Sequence, residues 1–173
     1  MKGMMSSPEE TGFAFYEENS PESMLTALEE LDEYIAEEGP FDGVMGFCHG
    51  AALAAEFIIY KAQQDPDSEP PFKCAIFLGA GLPSNPAELL DGKVRLLSNE
   101  SDGEIIRLPT AHIWGTKDPV YDICEKVSKL CRSSARSVFI HDGIHEVPGY
   151  GMKGGLAGSV KMIRRTVDRG LSN

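Results

Sequence analysis

The chain has 173 residues, 42% hydrophobic and 25% charged, which lies in the ordinary range of a soluble globular domain and predicts a single domain over 1–173. Its formal net charge of −11 and sequence pI near 4.8 leave no basic stripe to neutralise phosphates, so nucleic acid is not an expected partner. No apolar run reaches the roughly 18 residues of a membrane span, and the start Met1-Lys2-Gly3-Met4-Met5-Ser6 lacks the apolar core of a secretory signal; the expectation is a cytoplasmic protein with no membrane partner.

Residues 1–19 are polar and mixed apart from the aromatic patch Phe13, Phe15 and Tyr16, and read as irregular. Ser20-Pro21 is a favoured N-cap followed by proline at the first helical position, and Met24, Leu28, Leu31 and Ile35 then recur on one helical face until Gly39-Pro40 stops the run. That face reads as core and not as a cofactor site. Phe41 to Phe47 has the length and bounds of a buried parallel strand, and the Ala-rich run Ala51 to Gln63 predicts a helix after a tight turn. The polar stretch Gln63 to Pro71 reads as a surface linker.

Phe72 to Leu78 and Thr110 to Trp114 read as a second and third strand, each followed by a glycine-containing turn. Between them, Gly79 to Pro109 is longer than an ordinary connection and predicts a lid or pocket loop, with a turn at Pro83-Ser84-Asn85-Pro86 and weaker helical segments around Ala87 to Leu97. Val120 to Cys131 predicts a helix, Arg136 to His141 a fourth strand, and Gly154 to Gly170 a closing helix with Leu156, Val160, Ile163 and Val167 on one face. Alternating strands and helices imply an α/β fold, a mostly parallel sheet flanked by helices on both faces, whose ligands bind beyond the carboxyl ends of the strands.

Gly46-Phe47-Cys48-His49-Gly50 falls between the first strand and its helix. A Gly-x-nucleophile-x-Gly elbow needs this setting, because the nucleophile occupies a strained turn and the flanking glycines let backbone pass without a Cβ. The elbow also predicts chain order, an acid and then a histidine, each past a later strand. Asp118 follows the third strand in Gly115-Thr116-Lys117-Asp118-Pro119, and His145 follows the fourth in Asp142-Gly143-Ile144-His145. The expected roles are Cys48 as nucleophile, His145 as general base and acid, Asp118 as the group that orients the imidazole, and the backbone N–H of His49 as oxyanion donor. The imidazole and the N-terminus of the helix are expected to enlarge the thiolate fraction of Cys48. Phe47, Gly79, Leu82, Val120 and Val147 are expected to line the substrate pocket.

Blander readings stand beside these. Cys48 can be a buried structural thiol, His145 a loop histidine, and Asp118 before Pro119 a turn initiator. Glu146 and Asp122 are rival acids by position. The His49 side chain is expected to face solvent, His112 and His141 to be satisfied sheet histidines, and Cys124 and Cys131 to share a packing face. The four cysteines lack CxxC spacing and read as thiols, so neither a metal nor another cofactor is expected.

These residues resemble the FSH family of serine hydrolases, the proteins related to the yeast family-of-serine-hydrolases and to human ovarian-cancer-associated protein 2. The likeness runs from Phe13 to about Arg169 and is carried by Ser20 to Leu25, Phe41 to Phe47, the Ala-rich helix, Pro71-Phe72-Lys73, the Gly-x-x-Asp-Pro-Val of Gly115 to Val120, and the Gly-x-His-x-Val-Pro of Gly143 to Pro148. The resemblance implies a truncated α/β-hydrolase fold and, through fungal thioesterases of the family, a small polyketide-like acyl substrate. Two departures stand out. The family reads Gly-Phe-Ser-Gln-Gly where this chain has Cys48 and His49, and the family's opening strand and His-Gly loop, source of a second oxyanion donor, have no match before Phe13.

The expected function is a cysteine-dependent acyl hydrolase or acyltransferase, of thioesterase, esterase or lactonase type. The alternatives are a cyclase or isomerase on the same fold and a degenerate hydrolase acting as a binding module. With its usual neighbours missing, the first strand is expected to be an edge, covered in a homodimer or higher oligomer.

Overall fold

In the computed structural model, which describes residues 14–172, the predicted strands and helices follow one another in the expected alternation. The expectations for residues 1–13, Phe13 included, lie outside the described residues. Strands β1 (Gly43–Phe47), β2 (Cys74–Leu78), β3 (Thr110–Gly115) and β4 (Arg136–His141) form a 4-stranded sheet in the order β1-β2-β3-β4, parallel at each pairing. β2 and β3 are buried at every position, because each has a strand on either side and a helical layer on either face.

Helix α1 (Pro21–Glu38) starts where Ser20 accepts the Ser23 N–H at 3.2 Å, and it buries Met24, Ala27 and Leu28. Helix α2 (His49–Gln64) packs with it, and their core includes Phe57, Phe77, Leu28, Val127 and Leu130. Val127 comes from α5 (Tyr121–Lys129), and Leu130 directly follows it. On the other face α6 (Gly155–Leu171) lays Met162, Ile163 and Val167 over Cys74, Ile76, Leu78, Ala111 and Ile113. Helices therefore cover both faces, as the sequence predicts. Burying a side chain such as Phe57 or Phe77 is worth roughly 1.5–3 kcal/mol.

Local differences have local causes. α2 begins at His49 and not Ala51, because the turn is completed within Cys48. The weak helical segments expected around Ala87 to Leu97 are two short helices, α3 (Pro86–Leu90) and, just beyond that range, α4 (Asn99–Asp102), capped by Asn85 and Ser98. Arg95 ties them together: its Nη1 and Nη2 donate to the Asp102 carboxylate at 2.9 and 2.8 Å, and its Nε donates to Glu88 at 2.5 Å. Cys124 lies in α5, but Cys131 falls beyond its end, so the two share burial and not a helical face.

The register brings the carboxyl ends together, Phe47 opposite Leu78, Leu78 opposite Ile113, and Gly115 opposite His141. β1 is an edge strand among the described residues. Its Val44 and Gly46 face α2, while Met45 (55% exposed) and Phe47 (38%) stand uncovered. Among the described residues no helix is long and apolar enough to cross a membrane.

Candidate active site

Cys48 follows β1 directly and stands at φ 52°, ψ −115°, the one non-glycine with positive φ among the described residues. Such backbone costs on the order of 1–3 kcal/mol and persists only where its surroundings hold it. Here the Cys48 N–H donates to the Leu78 carbonyl at 2.9 Å, and the Cys48 carbonyl accepts N–H groups from Ala51, Ala52 and Gly81 at 3.1, 3.2 and 3.3 Å. Gly46 is required: a Cβ there would lie 2.5 Å from the Gly50 oxygen and 2.6 Å from the Ala51 nitrogen.

Asp118 and His145, 27 residues apart, meet at the same rim. His145 Nδ1 lies 2.9 Å from Oδ2 and 3.1 Å from Oδ1 of Asp118, whose Oδ1 also accepts the Val120 N–H at 2.9 Å. A carboxylate at Nδ1 fixes the proton there and leaves Nε2 as the basic nitrogen. Gly115 makes the approach possible, since any Cβ would run into the Gly143 and Ile144 carbonyls; the Thr116 and Lys117 N–H groups then donate to His141 and Gly143 at 2.7 and 3.0 Å. The rival acids are elsewhere: Glu146 turns back to accept its own loop's Ile144 N–H, and Asp122 is exposed on α5.

The His145 ring packs on the Phe47 ring, centroids 4.8 Å apart, and against Gly79, whose Cβ would lie 2.8 Å from the imidazole Cε1. Nε2 is buried without a hydrogen-bond partner, so the Cys48–His145 hydrogen bond is not closed. Contacts of this kind are often long until substrate is seated. Burial raises the Cys48 thiol above its ordinary value; the His49 N–H facing the sulfur lowers it, and the charges of Asp118 and Glu18 raise it. The expected enlarged thiolate fraction is thus corrected, because desolvation outweighs the helix terminus.

A pocket of about 500 Å³ opens beside Cys48, lined by Gly79 and Leu82 after β2, Val120 before α5, and Tyr16 from the N-terminal segment. Phe47 and Val147 do not line it: Phe47 turns onto His145, and Val147 is exposed beyond the histidine. Met24, expected only as core, forms part of the wall. His49 does not face solvent. Its Nδ1 accepts the Phe15 N–H at 3.1 Å, and its ring packs on Tyr16 at 4.1 Å, which fixes the segment before α1 against the pocket. Ser84, Val94 and Leu96 also line the pocket, from the segment 79–109 expected to shape it, whereas Tyr16 and Ile123 were not expected, since nothing local in the sequence marks them.

The remaining histidines differ from each other. His112 Nε2 lies 3.1 Å from Thr110 Oγ1 in the buried sheet, while His141 accepts the Gly143 N–H at Nδ1 but leaves a buried Nε2 without a partner. An open groove of about 950 Å³ runs along α6 at the amino ends of β3 and β4, past Arg164, Arg165 and Arg169, far along the strands from the elbow. Among the described residues no group of three or more His, Cys, Asp or Glu is gathered as metal ligands would be.

Residues 4–151 match the family described as Serine hydrolase (FSH1). The chain is 45% identical over 141 residues to Esterase FPY3 of Fusarium mangiferae, covering 81% of this chain and 63% of the relative. It is 33% identical over 126 residues to Hydrolase phiM of a fungal species, covering 73% and 59%. It therefore spans about three fifths of the length of these curated relatives. Acyl-protein thioesterase 2 of Zea mays shares the fold at TM-score 0.55 and 16% identity, with 85% of this chain and 66% of that one covered.

Proposed function

Because the chain belongs to the serine hydrolase (FSH1) family, we propose that it is an acyl hydrolase or acyltransferase in which Cys48 does the work usually done by serine. The observation that carries the reading is the buried Asp118–His145 pair at the rim that also holds the strained Cys48 elbow. Similarity to relatives named esterase and hydrolase supports the reaction class.

In this reading His145 Nε2 removes the Cys48 proton as the sulfur attacks the acyl carbonyl carbon. The oxyanion is met by the His49 N–H, which lies in the first turn of α2 and has no intrahelical acceptor. The leaving group departs with the proton from His145, giving a thioester on Cys48. Water or another acceptor then gives its proton to His145 and attacks the thioester, and the product, an acid from water or the acylated acceptor otherwise, leaves as the sulfur regains the proton. A thiol raised by burial suits this concerted route, in which the base acts during attack rather than before it.

The apolar residues Leu82, Val94, Leu96, Val120 and Ile123 make the pocket a fit for a small acyl chain, polyketide-like by the family resemblance. The edge position of β1 among the described residues supports a homodimer in which a second copy covers Met45 and Phe47. A cyclase or isomerase using His145 as base without an acyl-enzyme is the second reading, favoured by the unpartnered Nε2 and the raised thiol. Turnover of p-nitrophenyl esters and acyl thioesters by the wild type and Cys48→Ala separates them: loss of turnover in the variant is expected, and equal rates would refute the nucleophile.

A further inference from the structure

Beneath the pocket, α2 carries a carboxylate that the proposed chemistry does not use. Glu56 is 0% exposed, inside a stretch from Ala51 to Tyr60 that is buried throughout, and it belongs to none of the ion pairs among the described residues. A buried carboxyl without a cation is costly unless hydrogen bonds satisfy it. Its Oε1 accepts the Ser84 N–H at 2.6 Å, while its Oε2 and the Ser84 Oγ are buried without a closed hydrogen bond.

The buried Tyr16 phenol lies near the same carboxyl, although no closed hydrogen bond joins the two. Tyr16 and Ser84 are pocket-lining residues of two separate segments, one before α1 and one after β2. Glu56 itself does not line the pocket; it holds the Ser84 backbone and stands near Tyr16.

We propose that Glu56 is a positioning residue that clamps the Tyr16 segment to the Ser84 segment, sets the width of the pocket, and so selects the acyl chain accepted beside Cys48. The inference rests on the reading of that pocket as the acyl site. Ionised Glu56 can accept from the Ser84 N–H, the Ser84 hydroxyl and the Tyr16 hydroxyl together; a protonated carboxyl turns one of those acceptor positions into a donor and loosens the clamp. Burial pushes the Glu56 carboxyl up to about 7, against the lowering effect of Ser84 and Tyr16, so the change falls near neutral pH. The titratable groups around the cluster are Tyr16 and Glu18 from the N-terminal segment and His49 from α2; Glu18 acts on both Tyr16 and His49.

The test uses p-nitrophenyl butanoate and octanoate between about pH 5.5 and 8.5 on the wild type and Glu56→Gln. In the wild type the KM ratio of the two esters should change about fivefold across the range, with kcat moving in parallel for both; in Glu56→Gln the ratio should be flat. Amide hydrogen exchange at one pH near 8 gives a readout free of turnover. Glu56→Gln should speed exchange in residues 14–19 and 82–97 and leave β3 unchanged; Tyr16→Phe, which removes only the hydroxyl, should do the same for 14–19 if Glu56→Gln does not fold. Unaltered exchange in these segments overturns the clamp. A wild type that turns over neither ester refutes the acyl-site reading, and the exchange comparison still decides the role of Glu56.

Discussion

Asp118 meets His145 with both carboxylate oxygens within 3.1 Å of Nδ1, so the proposed base depends on a single acceptor that fixes its tautomer. Asp118→Asn keeps the shape but offers an amide donor, which favours the wrong tautomer; kcat should fall by about 10³- to 10⁴-fold with little change in melting temperature. The raised Cys48 thiol has its own signature: iodoacetamide should label it more slowly than an exposed cysteine at neutral pH, with the rate still climbing above about pH 9, as mass spectrometry of the labelled peptide would show. Glu56 affects stability in a direction fixed by its raised value. A carboxyl that rises from 4.5 unfolded to about 7 folded supports the fold fully below the lower value and loses that support as pH climbs to the higher one. Relative to Glu56→Gln, the wild type should therefore be less stable in urea at pH 8.5 than at pH 4.5, by at most roughly 3 kcal/mol.

At the scale of elements, glycines decide whether the rim assembles. Gly115→Ala would push the end of β3 off the Gly143–Ile144 turn and draw Asp118 from His145; a loss of more than about 2 kcal/mol in stability, with activity falling alongside, is the expected outcome in denaturation and rate assays. Much of this level was legible in the chain. Phe72 to Leu78 and Thr110 to Trp114 are short, mostly apolar runs bounded by proline and glycine, and Ser20-Pro21 carries the cap and start of α1 in adjacent residues, whereas Asn85-Pro86 reads as a turn and starts α3. The placement of Cys48, Asp118 and His145 just past the first, third and fourth strands also located the rim, since parallel strands in register end on one side. The pocket was less legible because its walls come from distant segments. Phe47 alternates correctly for a strand, yet which face a helix covers is settled only by packing, and its ring lies on His145. Glu56 inside Ala51 to Tyr60 was the one local sign of the buried cluster; its meaning needed Ser84, 28 residues on.

Among the described residues, the β1 edge and the active rim lie side by side, because the strand that leads into Cys48 is itself the edge. The proposed homodimer should appear in light scattering at micromolar concentration, and Met45→Lys, a charge placed on the uncovered face, should return it to a monomer; a monomeric wild type removes the idea. The fold places a thiol, a carboxylate and an imidazole from the segments after β1, β3 and β4 at one end of a parallel sheet, and the account depends on that sulfur becoming acylated. Intact-mass analysis of acid-quenched protein after brief exposure to an acyl thioester tests it most directly. The wild type should gain the mass of one acyl group, mapped to the Cys48 peptide, and Cys48→Ala should gain none. Undiminished turnover by Cys48→Ala, or an adduct mapped to another residue, would contradict the assignment.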